Sequence, residues 1–126
     1  MPKRLSELEQ TIMRLLWRRP DWTVAACRDA LAEWSKPLKE TTVRTLLQRL
    51  EKKGYVTHSV EGRTYLYRAS TAKKSVMAEA VRQIIDRFCE GSLEELLVGM
   101  VEHDIVDRQE LQSLARKIAA KKRLPR

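Results

Sequence analysis

Between Pro37 and Gly54, one side of the chain carries hydrogen-bonding groups, Thr41, Thr42, Arg44, Thr45, Gln48 and Arg49, interleaved with Val43, Leu46, Leu47 and Leu50 at helical spacing. A helical face of this kind can recognise polar edges. In the major groove of B-form DNA, arginine bonds guanine bidentately, glutamine bonds adenine, and threonine bonds an edge or meets the thymine methyl. Arg44 and Gln48 are four residues apart and so point the same way, while Thr41, Thr42 and Thr45 lie toward the N-terminal end, which enters a groove first. These five are the candidate base contacts. Arg49, Lys52, Lys53 and Arg63 are the candidate phosphate contacts, which fix register without reading sequence.

Other chemistry is poorly provided for. The two histidines, His58 and His103, belong to no HExxH pattern, and there is no Gly-rich phosphate loop or nucleophile motif, so catalysis is not expected. Cys27 and Cys89 stand far apart without a CxxC, which reads as two buried small apolar residues, with no disulfide, metal or other cofactor expected. His58 reads as a solvent-facing strand residue.

The elements that must hold the polar face follow from periodicity and caps. Ser6 with Glu9 is a capping box opening a helix to about Arg18, with Leu8, Ile12, Leu15 and Leu16 on its apolar side. Thr23 caps a second helix carrying Val24, Cys27, Ala30, Leu31 and Trp34, which Pro37 stops. The third opens near Glu40 or Thr41 and ends at Lys52 and Lys53, with Gly54 past its end. From Tyr55 the pattern turns β-favouring, with a turn at Glu61 and Gly62, Arg63 at the tip and a return strand over Thr64 to Tyr67. Three helices and a hairpin in this order predict a winged helix-turn-helix.

Three more helices follow: from Ser70 or Thr71 to about Glu90, from a second capping box at Ser92 and Glu95, and from Asp107 with Glu110. The fold class is therefore mainly α with a small β-hairpin wing, divided into residues 1–70 as the winged helix and 71–126 as a helical region. Val81, Ile84, Ile85, Phe88, Leu93, Leu96, Leu97, Met100, Val101, Leu111 and Leu114 are more apolar residues than short appended helices can hide by themselves. An exposed apolar stripe of this size marks an interface, and a second copy is the plain partner, so a homodimer is expected.

The formal net charge of the 126 residues is +8. It is unevenly spread. Residues 1–70 carry 14 Lys/Arg against 8 Asp/Glu, 71–115 carry 5 against 9, and 116–126 carry 6 against none. A basic first part favours a polyanionic partner, here double-stranded DNA. The basic tail from Lys117 reads as a frayed, solvated terminus. No apolar run is long enough for membrane insertion and the first residues lack a signal-peptide block, so a cytoplasmic location is expected. A winged-helix docking module that never touches nucleic acid is the rival reading.

Several segments resemble the penicillinase-repressor family, which includes BlaI and MecI: Leu5 to Glu9, Ile12-Met13 and Leu16-Trp17, Thr41 through Gly54, Glu61 through Tyr67, and Phe88 through Leu93. The stretch TVRTLLQRLEKKG followed by a Gly-Arg wing is far more specific than a general helix-turn-helix pattern. The resemblance implies a homodimeric repressor on a palindromic operator upstream of resistance or stress genes. It also implies release through a membrane sensor protease pathway that leads to cleavage in the dimerisation region. Where the best-known branch carries its scissile Asn-Phe, this chain has Gly99-Met100. A copper-responsive branch uses paired cysteines near the C-terminus, and this chain has none after Cys89.

Overall fold

The structure, a computed structural model, describes residues 4–122. The order is α1 (Glu7–Leu16), α2 (Val24–Trp34), α3 (Glu40–Lys52), β1 (Val56–Glu61), β2 (Thr64–Ala69), α4 (Lys73–Phe88), α5 (Leu93–Glu102) and α6 (Arg108–Lys122). Two compact units result, Met1–Met77 and Ala78–Arg126. The division falls inside α4 rather than at 70/71. The start of α4 belongs with the first unit, because Val76 packs on its core and the Trp17 indole donates to the Thr71 carbonyl at 2.9 Å.

In the first unit, α1 to α3 surround a core of Ile12, Met13, Leu15, Leu16, Cys27, Leu31, Val43, Leu46, Leu47 and Leu50, closed by Trp22, Tyr55, Val56 and Tyr67. Each helix is delimited by its caps. The Ser6–Glu9 box forms in full, with Glu9 N–H donating to Ser6 Oγ at 3.2 Å and Ser6 N–H to Glu9 Oε1 at 2.7 Å. Thr23 Oγ1 accepts from Ala26 N–H at 3.0 Å. At the end of α3, Gly54 N–H donates to Glu51 O at 3.0 Å and Tyr55 N–H to Leu50 O at 2.9 Å. This Schellman turn requires a left-handed residue, and Gly54 takes it at φ +91°.

That turn reverses the chain into β1, which pairs antiparallel with β2 so that His58 faces Tyr67 and Val60 faces Tyr65. The turn is Gly62-Arg63, one residue later than the expected Glu61-Gly62, because Glu61 still pairs with Thr64. Gly62 has φ +65°, as the first position of a two-residue hairpin turn demands. Trp22 and Tyr67 exchange backbone bonds at 2.7 and 2.8 Å, tying the wing base to the start of α2.

The second unit is built differently. Its helices start at caps, with Ser92 Oγ accepting from Glu95 N–H at 3.1 Å and Asp107 Oδ1 from Glu110 N–H at 2.7 Å. Only the hydroxyl half of the expected Ser92 box forms. Cys89 and Val106 are its buried apolar residues, while Val81, Ile84, Phe88, Leu93, Leu97 and Leu114 are exposed and Ile85, Leu96, Met100, Val101 and Leu111 are half-buried. Helix α6 carries the expected frayed segment as helix through Lys122; residues 123–126 of that tail lie outside the described residues. No helix among the described residues is long and apolar enough to cross a membrane.

Candidate nucleic-acid interface

The amphipathic pattern of α3 decides which of its side chains can be offered to a partner. Val43, Leu46, Leu47 and Leu50 are buried, so the opposite side carrying Thr41, Arg44, Thr45, Gln48, Arg49 and Lys52 is exposed, with Thr42 half-buried at its margin. The Thr45 hydroxyl donates to Thr41 O at 2.9 Å, which satisfies its proton within the helix.

Arg44 and Gln48 border an open groove of about 450 Å³ between the start of α2, α3 and the wing. It is lined by Thr23, Val24 and Ala25 at the start of α2, by Glu40, Arg44 and Gln48 of α3, and by Arg63, Thr64, Tyr65 and Tyr67 of the wing. The fold thus brings together three of the residues singled out from the sequence, two candidate base readers and the wing arginine. Thr41, Thr45, Arg49 and Lys52 lie along the exposed side of α3 outside this groove.

Lys53 departs from expectation. Its Nζ is bonded to Glu9 Oε1 at 2.6 Å and to Arg4 O at 3.0 Å, so the ammonium expected on a phosphate is held inside the domain by a carboxylate that is 1% exposed. His58 departs as well. Rather than facing solvent, its Nδ1 lies 2.8 Å from both oxygens of Glu51, and its ring stacks on Tyr65 at 4.3 Å.

Glu40 and Arg28 were not apparent as interface residues. The Glu40 carboxylate stands 3.6 Å from Arg28 and 4.0 Å from Arg44, linking α2 to the helix face. The i,i+4 spacing of Glu40 and Arg44 was a readable signal for half of this chain of charges. Nothing in the spacing pointed to Arg28.

The Cys27 thiol and the Tyr67 phenol are both held toward their protonated forms. Burial pushes the Cys27 thiol up to about 12 against the opposing charge of Arg19, so it stays protonated. Burial also raises the Tyr67 phenol, and the nearby Glu51 carboxylate adds to the shift.

Comparison with known proteins places the chain in a family. The sequence profile of the penicillinase repressor family matches residues 5–120. The chain is 25% identical over 112 residues to the penicillinase repressor of Bacillus licheniformis, covering 87% of this chain and 85% of that one. It is 34% identical over 121 residues to the transcriptional regulator BlaI of Mycobacterium tuberculosis, covering 92% and 83%. The solution structure of the DNA-binding domain of the repressor BlaI superposes with a TM-score of 0.50 at 28% identity, over 58% of this chain and 90% of that one. With its winged helix and a profile match spanning nearly the whole sequence, the chain belongs to the penicillinase repressor family.

Proposed function

We propose that this protein is a DNA-binding transcriptional repressor that acts as a homodimer on a palindromic operator. The observation that carries the reading is that Arg44, Gln48 and Arg63, from two different elements, border one exposed groove. In this arrangement α3 enters the major groove, Thr41, Thr42, Arg44, Thr45 and Gln48 meet base edges, and Arg49, Lys52 and Arg63 meet phosphates. Lys53 has no part in it.

The exposed apolar residues of α4 to α6 support pairing with a second copy, since a single chain leaves Phe88 77% exposed. Two-fold symmetry then presents two recognition helices to half-sites a whole number of turns apart, roughly 34 Å per turn. Resistance or stress genes are the proposed targets, and loss of pairing is the proposed route of release. If the trigger is cleavage at Gly99-Met100, α5 must first open there, because Gly99 O and Met100 O accept backbone bonds from His103 at 3.0 Å and Ile105 at 2.9 Å.

Selection of duplexes from a random-sequence pool by the full chain tests the proposal. A palindromic motif should be enriched, and log affinity should fall steeply with log salt concentration as counterions are released. A pool that stays random after several rounds, or a binding curve indifferent to salt, would overturn it and favour a docking module.

A further inference from the structure

Beyond its base, the wing is fastened to the recognition helix at a polar contact between Glu51 and His58. Val56 and Tyr67 are buried where the hairpin leaves the core, but Ser59, Val60, Glu61, Gly62, Arg63, Thr64 and Tyr65 are all exposed. A two-stranded hairpin is marginal by itself, so its outer half needs a tether if the tip is to hold one direction. Glu51, in the last turn of α3, and half-buried His58, on β1, supply one with Nδ1 at 2.8 Å from both carboxylate oxygens. A carboxylate only accepts, so Nδ1 carries the hydrogen and donates. The antiparallel register then sets Tyr67 opposite His58 and Tyr65 two pairs further out, on the same face. The His58 ring stacks on Tyr65 with planes 10° apart and lies 5.5 Å from Tyr67. Tyr65 lines the groove together with Arg63, two residues away at the hairpin turn.

We infer that Glu51 and His58 are positioning residues for the nucleic-acid interface: their bond, relayed through the Tyr65 ring, aims the wing so that Arg63 reaches phosphate while α3 occupies the groove. Neither residue touches the DNA. The inference rests on the DNA-binding reading above and adds to it a device inside the domain that sets the angle between reader and wing.

A double-mutant cycle between His58 and Arg63 tests it, with full-length protein and a fluorescent duplex recovered by the wild type from a random pool. Arg63→Ala should weaken binding about tenfold and reduce the salt slope by about 0.9, the share of one phosphate. His58→Ala should do nearly the same, and the double variant should bind no worse than Arg63→Ala alone. His58→Asn places an amide donor near the position of Nδ1 and should restore most of the affinity. Glu51→Ala, at a half-exposed helix position where alanine is well tolerated, runs the same cycle should His58→Ala fail to fold. Losses that multiply in the double variant, an unaltered salt slope in His58→Ala, or no effect of Arg63→Ala would each overturn the inference while leaving DNA binding by α3 intact. Failure of the wild type to select any duplex would instead remove the DNA-binding reading, and this inference with it.

Discussion

Lys53 Nζ sits 2.6 Å from Glu9 Oε1, joining the C-terminal end of α3 to the first turn of α1. The same oxygen accepts from Ser6 N–H, so one carboxylate closes the α1 capping box and anchors the recognition helix. Removing the half-buried Lys53 leaves the buried Glu9 charge unpaired in low dielectric. Lys53→Met is therefore expected to destabilise the domain by about 3 kcal/mol, read as a lowered denaturation midpoint. An unchanged midpoint would show that solvent, not Lys53, compensates Glu9.

Burial by itself raises the Glu9 carboxyl, but the Lys53 hydrogen bond, the Ser6 hydrogen bonds and the Lys53 charge outweigh it, and the net shift is downward. A lowered folded-state value means the unfolded chain binds the proton more readily. The stabilisation is thus fully present above the ordinary carboxylate value of about 4.3 and is lost as pH falls through the lower folded value. Thermal melts at a series of acid pH values should show the wild type losing stability more steeply than Glu9→Gln. Parallel curves would refute the assignment.

Arg44→Ala removes a guanidinium that Glu40 holds over the groove at 4.0 Å. The expected cost is about 1 to 3 kcal/mol of operator affinity, with relaxed preference at one position in each half-site. Anisotropy titrations against the selected duplex and its single-base variants measure both. Equal affinity for all variants in wild type and mutant alike would remove Arg44 from the base readers.

Phe88→Asp probes pairing without disturbing the single chain, because the ring is 77% exposed there. Sedimentation should show a shift from dimer to monomer, with unchanged helical content by circular dichroism. Operator binding should weaken strongly, since the second half-site is no longer held at high effective concentration. A variant that still sediments as a dimer would move the interface away from this end of α4.

Local signals made most of the architecture legible. Ser6, Thr23 and Gly54 mark helix ends through bonds spanning only a few residues, and the repeat of Val43, Leu46, Leu47 and Leu50 specifies which side of α3 is buried. Exposure of Arg44 and Gln48 follows directly, because the polar side of an amphipathic helix is whatever its apolar side leaves over. The hairpin was legible too, to within one residue of its turn.

Tertiary structure alone decided which charged groups of different elements become partners. Periodicity records which side of an element is apolar and which i,i+4 charges can meet on one helix, as Glu40 and Arg44 do; it carries no information on which cation meets which carboxylate between elements. Glu9 and Lys53 are separated by 44 positions, and only the packing of α1 against α3 makes the ammonium an internal ion rather than a phosphate ligand. Glu51 and His58 are closer in sequence, yet their contact exists because the turn at Gly54 folds β1 back toward α3. Hydrophobic burial depends on residue type and spacing, which a sequence displays, whereas an ion pair depends on the distance between two side-chain tips, which only the folded chain sets.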